Sequence, residues 1–172
     1  MHPFVPPPLL EGPNLRLEPL LPEHFEELYA LASDPLVWEQ HPNRNRWQRE
    51  AFERFFEGAL LSGGAYRIVE KSSGKAVGSS RYYDYRPDEQ VVNIGYTFFG
   101  RAYWGKGYNP EAKQLMLTYA LAHVESVEFH IGAVNKRSQI AIGRLGAIKI
   151  DERPVTYHGE QETLNFIYRI GK

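Results

Sequence analysis

Cysteine is absent from this chain of 172 residues. That single absence excludes disulfides, thiolate metal sites and a cysteine nucleophile together, and it suits a reducing cytoplasm. A strong charge of either sign is absent too, with 20 Lys and Arg against 21 Asp and Glu and a formal net charge of −1. Without a basic excess there is no electrostatic footprint for nucleic acid or an anionic membrane surface. No apolar run approaches a membrane span, and the first residues, MHPFVPPPLL, lack the basic head and apolar run of a signal peptide. No repeat, low-complexity tract or linker interrupts the rest. What remains reads as a proline-rich arm over residues 1–13 and one domain over 14–172, long enough to bury a core by itself. A cytoplasmic protein with a small or local partner is expected.

The stretch that organises the chain is VVNIGYTFFGRAYWGKGYNPEAKQLMLTYAL, residues 91–121. Val92, Ile94, Tyr96 and Phe98 alternate with Asn93, Gly95, Thr97 and Phe99, which predicts a strand ending at Gly100. Beyond the turn, Ala112, Leu115, Met116, Tyr119 and Ala120 recur at helical spacing, with Pro110 in the first turn, where proline is tolerated. Between strand and helix, Gly105, Lys106 and Gly107 offer backbone with little side-chain cover at the positive end of a helix, a place that suits a pyrophosphate. The run from Gly100 to Gly107 also follows nucleotide P-loop spacing up to its last position. That position needs a Ser or Thr hydroxyl for magnesium and is Gly107 here, so a magnesium-dependent nucleotidase is disfavoured and no metal site is expected.

The remaining elements follow from the same periodicities. Leu15 and Leu17 mark a first strand ended by Pro19. Pro22 opens a helix whose apolar face is Phe25, Leu28, Tyr29 and Ala32, closed at Asp34-Pro35. VWEQHPNRNRWQ fits neither period and reads as a loop. Phe52, Phe55, Phe56, Ala59 and Leu60 form the face of a second helix with Gly63-Gly64 past its end. Tyr66 to Lys71 and Ala76 to Tyr85 form a hairpin about Ser72-Ser73-Gly74. After the central helix, Val127 to Ala133 is a strand parallel to the central one, because a helical crossover joins them. Asn135-Lys136-Arg137-Ser138 then opens a short helix that ends in Arg144-Leu145-Gly146-Ala147. Ile148 to Glu152 and Leu164 to Ile170 make a final hairpin about VTYHGEQE. The sheet is therefore mixed.

In this order and spacing, IGYTF, YWGKGY-x-x-E-A, N-x-x-S and RLGA resemble the GCN5-related N-acetyltransferases (GNAT), in particular the ribosomal-protein alanine acetyltransferase branch (RimJ/RimL-like), over residues 15–170. The resemblance implies a single α/β domain: a mixed, mostly antiparallel sheet of about 6–7 strands, about four helices, and a splayed central parallel pair. It implies acetyl-CoA or coenzyme A as cofactor. The backbone of Tyr96, Thr97 and Phe98 would pair with the pantetheine arm, and Gly105, Lys106, Gly107, Tyr108 and Asn109 would hold the pyrophosphate. Asn135 and Ser138 would touch the cofactor too, although each also suits an ordinary helix start. The Gln or Arg that the family often carries three residues before the first loop glycine is Ala102 here, with Arg101 one position off.

For the chemistry, the family's usual tyrosine acid falls at Ile142, which has no proton to give. The leaving group is a thiolate whose conjugate acid resembles a cysteine thiol of pKa about 8.5, so Ser138 or water would suffice as proton donor. The candidate base is His130, five residues before Asn135, where some relatives carry a glutamate; a hydrogen-bonded strand histidine is the structural alternative. Asn93 stands where many relatives have Glu, and Glu39 or Glu89 would act only through water. Trp38, Glu39 and His41 on the first loop and Tyr83 on the hairpin are the candidate acceptor residues, with alternation placing Tyr83 and Tyr85 on one face and Tyr82 with Asp84 on the other. Asp34 and Glu39 face Arg44, Arg46 and Arg49, which predicts an acceptor with one amine on a neutral or weakly acidic body. That describes a peptide N-terminus, as the resemblance implies, or an amino-acid-like small molecule. The chain would act as a monomer or homodimer; a coenzyme A sensor without turnover is the alternative from another class.

Overall fold

A computed structural model describes residues 3–156 and 158–171, so Met1 and His2 of the arm, Tyr157 of the last hairpin loop, and Lys172 lie outside the described residues. Eight strands form one sheet in the order β1-β2-β3-β4-β5-β6-β8-β7. They are β1 (Leu10–Glu11), β2 (Leu15–Pro19), β3 (Ala65–Glu70), β4 (Ala76–Arg86), β5 (Val91–Phe99), β6 (Ser126–Gly132), β7 (Ile148–Val155) and β8 (Thr163–Gly171). The strand beyond the expected count is β1, which pairs Leu10 with Leu17 from inside the proline-rich arm and is too short to carry a period. Every pairing is antiparallel except β5 with β6.

Four α-helices cover the sheet: α1 (Phe25–Ala32), α2 (Arg49–Ser62), α3 (Tyr108–Leu121) and α4 (Lys136–Arg144). Pro22 starts a 3-10 turn, Pro22–His24, and the α-helix begins only at Phe25, three residues later than the proline suggests. α1 and α2 supply Leu28, Phe52, Phe55 and Phe56 to one apolar cluster, which also takes Trp38 and Phe98. The other cluster joins Ala112, Met116 and Ala120 of α3 and Ile142 of α4 to the opposite side of the sheet. Phe4 packs edge-on to Tyr82 with ring centroids 5.0 Å apart, and the Tyr66 hydroxyl donates to Pro7 O at 2.6 Å, so the arm lies against the body. Among the described residues no helix is long and apolar enough to cross a membrane.

Two departures from strict alternation shape the centre of the sheet. Ser80 of β4 alone faces the stretch between Gly95 and Phe98 of β5, where Tyr96 takes φ 54°, a β-bulge. Val92 and Ile94 therefore point into the α3 cluster, whereas Tyr96 and Phe98, expected on their face, pack with α2. A second bulge at Asp84, φ 55°, separates Tyr83 from Tyr85. Tyr85 joins Tyr82 against Phe4, and Tyr83 faces Tyr96 instead. A residue inserted into a strand reverses every side chain after it, and spacing alone does not reveal the insertion.

Candidate active site

The glycine turn follows β5 directly. A 3-10 turn at Arg101–Tyr103 reverses the chain, and the Trp104 indole N–H returns to Phe99 O at 2.9 Å. Gly105 and Gly107 then adopt φ 78° and 79°, a left-handed conformation that side chains resist, and Gly107 caps α3. An added Cβ on either glycine would enter open space. Among the described residues, no acceptor pairs with the N–H groups of Gly105, Lys106, Gly107, Tyr108 or Asn109. Unpaired amides at a positive helix terminus form an anion cradle. The Lys106 ammonium and the Arg137 guanidinium, the latter 4.1 Å from the Trp104 ring, add positive charge beside it. Arg101 is occupied elsewhere, paired with Asp34, whose carboxyl that hydrogen bond holds below its usual range. The turn therefore fits a pyrophosphate, with Lys106 and Arg137 as its cations.

α3 is fixed under this cradle by Glu111, whose carboxylate accepts from Asn14 N at 3.0 Å, Asn14 Nδ2 at 2.8 Å and Leu15 N at 2.8 Å. Next to it, β5 and β6 pair only over Val91–Asn93 with Ser126–Glu128 and then diverge. The cleft between them is a narrow cavity of about 60 Å³, lined on β5 by Ile94, Gly95, Tyr96 and Thr97 and on β6 by Phe129 to Gly132. Its remaining walls are His41, Lys113, Asn135, Ser138 and Ile142. Among the described residues, the β5 edge facing this cleft has no strand partner beyond Asn93, so an extended, amide-bearing arm can add there as a strand does. The Tyr96 bulge is held from the other side by Arg81, 3.6 Å from its ring, and by Tyr83 at 5.0 Å.

His130 stands on the β6 wall with Nε2 3.2 Å from Glu128 Oε1 and 3.4 Å from Asn93 Nδ2. Glu128 in turn accepts from Arg86 at 2.8 Å and is paired with Arg169. Burial alone would raise the Glu128 carboxyl, but hydrogen bonds from His130 and Arg169 and the nearby arginine charges outweigh it and hold it down at about 2. Glu128 is thus an acceptor only, which places a proton on Nε2 of His130 in that contact. Asn135 caps α4 by accepting from Ser138 N at 3.2 Å, which brings the Ser138 hydroxyl to the cleft. His41, also on the cleft, stays neutral because burial and the adjacent Arg46 push its pKa well below the ordinary value.

A second cavity, of about 580 Å³, opens on the other side of the first loop, lined by Pro42 to Asn45, Arg54 and Gly159 to Gln161. The two cavities adjoin at His41-Pro42, whose proline ring lies so close to Gly132 that an added Cβ would sit 2.4 Å from it. Glu160 on this wall is neutralised by Arg46 through contacts of 2.6–3.1 Å, which leaves Arg44 and Arg54 as the excess charge. Asn43, 7% exposed, has its Nδ2 group without a partner among the described residues. Such a buried donor calls for an acceptor from a ligand or water.

Of the residues singled out by sequence, Tyr96, Thr97, Asn135, Ser138, His130 and His41 converge on the cleft, and Gly105 to Asn109 form the cradle. Phe98 lies in the α2 cluster, Trp38 is buried with its indole N–H on Ala32 O, and Glu39 is exposed and lines neither cavity. Glu89 is bound to Arg86 at 2.8 Å. Three residues carried no sequence signal of their own: Lys113, masked by the apolar stripe of α3, Arg137, inside a motif read for its neighbours, and Asn43 in a loop without periodicity.

Residues 14–148 match the family described as acetyltransferase (GNAT) domain. A GCN5-related N-acetyltransferase from Brucella melitensis superposes with TM-score 0.80 at 21% identity, covering 98% of this chain and 82% of that one. RimL, a ribosomal L7/L12 α-N-protein acetyltransferase solved with coenzyme A, gives 0.74 at 15% identity, covering 95% and 97%. The microcin C7 self-immunity acetyltransferase MccE, solved with acetyl-CoA and AMP, gives 0.69 at 15%, covering 94% of each. With the cradle, the splayed strand pair and the match over residues 14–148 together, the chain belongs to the GNAT family of acetyltransferases, whose acetyl donor is acetyl-CoA.

Proposed function

We propose that this acetyltransferase is of the RimJ/RimL-like kind, works in the cytoplasm, and acetylates a single primary amine on a peptide N-terminus or an amino-acid-like small molecule by direct attack in a ternary complex. The observation that carries the reading is the pair of cavities adjoining at His41-Pro42. One is a narrow cleft beside the cradle; the other is wide, with Arg44, Arg54 and the unpartnered Asn43 amide facing it. Likeness to RimL, which acts on the α-amino group of a protein, supports a peptide acceptor.

Acetyl-CoA, when bound, supplies an acyl carbon activated as a thioester. The loop amides from Gly105 to Asn109 hold the anionic end with Lys106 and Arg137, and the unpaired edge of β5 at Tyr96 and Thr97 orients the arm. Asn135 fixes the start of α4 and so the Ser138 hydroxyl. An alkyl ammonium of pKa roughly 10, or an α-ammonium near 8, must lose a proton before it attacks. His130 takes that proton on Nδ1, with Glu128 holding the Nε2 proton and so orienting the ring. His41 and Tyr83 flank the approach, and the acceptor's carboxylate or carbonyl groups fill the wide cavity beside Arg44 and Arg54.

A thiol-release assay across peptides with varied first residues, amino acids, polyamines and aminoglycosides tests this reading. Peptides or amino acids are expected to give the highest kcat/KM. A polyamine or aminoglycoside as best substrate would overturn the acceptor assignment, because cations of that kind need carboxylates where this cavity presents arginines. Tight coenzyme A binding without turnover on any amine would favour a sensor.

A further inference from the structure

The acid that protonates the leaving group is absent from its usual place, since Ile142 is fully buried and apolar at the cleft. The same cleft contains an ammonium group that the mechanism above does not use. Lys113 projects from α3 one turn after Asn109, 7% exposed, with Nζ 2.6 Å from Asn109 Oδ1. Among the described residues no carboxylate pairs with it. A buried cation without a counter-charge is costly, and a protein keeps one where negative charge arrives or develops.

We propose that Lys113 is the catalytic acid of this enzyme, placed against the departing thiolate in the cleft where relatives use a tyrosine. The inference rests on the functional reading above. As the acceptor nitrogen bonds to the acyl carbon, the carbon–sulfur bond breaks and sulfur leaves with the electron pair. His130 first passes the ammonium's proton to water; then the proton on Lys113 Nζ passes to sulfur, the second nitrogen proton passes from the new amide to His130, and water carries it from His130 back to Lys113, so that one proton is released to solvent per turnover. Burial lowers the Lys113 pKa to about 8, close to the ~8.5 of an ordinary thiol, so the transfer is nearly balanced in energy. The other titratable groups on the cleft are His41, His130 and Tyr96, of which His41 is held neutral.

The experiment uses free coenzyme A as probe, with wild type, Lys113→Met and Lys113→Arg. Calorimetry gives its affinity, and thiolate absorbance near 230 nm against pH gives the pKa of its bound thiol. Methionine keeps the apolar stem and removes the ammonium together with its bond to Asn109, which Lys113→Arg can still make. The bound thiol is expected to titrate at least one unit higher in Lys113→Met than in wild type, and kcat is expected to fall about 100-fold, as for loss of a general acid. Lys113→Arg should restore the low thiol pKa while kcat stays depressed, because guanidinium does not give up its proton. Equal thiol pKa values in wild type and Lys113→Met, with coenzyme A bound to both, would overturn the role of Lys113 alone. Failure of the wild type to bind coenzyme A would overturn the reading of the cleft as well.

Discussion

At the scale of single residues, the proposed recognition of the phosphates rests on the backbone of the cradle. Gly107 has φ 79° and open space where a Cβ would stand, so valine there meets backbone strain and obstructs a bound phosphate, but nothing in the protein. Strain in the left-handed region costs about 1–2 kcal/mol. Gly107→Val is expected to fold, with Tm lower by a few degrees, and to lose coenzyme A affinity by 100-fold or more in calorimetry. Unchanged affinity would mean that the phosphates bind elsewhere. Glu128 governs acid stability in a way that can be signed. Its carboxyl falls from the ordinary 4.5 to about 2 in the folded protein, so the unfolded chain takes up its proton first as pH drops. Its stabilisation is complete above about pH 4.5 and is lost as pH falls toward 2. A shift of this size corresponds to about 3 kcal/mol. Urea unfolding of wild type should weaken by at least that order across this window, and Glu128→Gln should be weaker at neutral pH with a shallower slope below it, where Glu27, Glu70 and Asp34 still contribute. An equal slope in both proteins would assign the acid sensitivity to other carboxylates.

At the scale of elements, α3 is both core and floor. Ala112, Met116, Leu117 and Ala120 pack in the core against the sheet, while Lys113, buried on the same helix, faces the cleft. Only the apolar stripe was legible in the sequence, because a lysine among Ala, Leu and Met at helical spacing reads as solvent-facing until the neighbouring strands are known to diverge. The glycine turn, the α3 start and the Asn135 cap were legible, since each depends on local backbone chemistry. The faces of Tyr83, Tyr85, Tyr96 and Phe98 were not, because two bulges decide them: tyrosine gives no sign of positive φ, and Asp84, a residue type that tolerates it, does not by itself mark a bulge inside a strand. Glu111 shows how a motif residue can be structural: three hydrogen bonds from Asn14 and Leu15 end on its carboxylate. Glu111→Ala leaves the exposed Asn14 donors to water but strands the part-buried Leu15 amide, and is expected to cost about 1–3 kcal/mol by chemical denaturation, the range for one buried donor left unsatisfied. A loss under about 0.5 kcal/mol would show that α3 is seated by its apolar face alone.

At the scale of the whole molecule, one sheet with helices on both faces is opened at its middle, and the opening is the site. The outer strand β7 exposes Ile148 and Ile150 but intersperses Lys149, Asp151, Glu152 and Arg153, charges that discourage edge-to-edge pairing. The two cavities proposed for donor and acceptor adjoin at the loop from His41 to Arg46. That loop is fastened to the stretch after β7 by Arg46 and Glu160, with side chains only 1% and 8% exposed. A pair at that depth lies beyond the reach of the ionic atmosphere, which screens exposed charges over about 8–10 Å and buried ones far less. Arg44 and Arg54, by contrast, face solvent across a wide mouth. Under the proposed function, rising salt is therefore expected to weaken the hold of Arg44 and Arg54 on the acceptor and to leave the shape of the mouth unchanged, raising KM for the acceptor while kcat holds in steady-state assays.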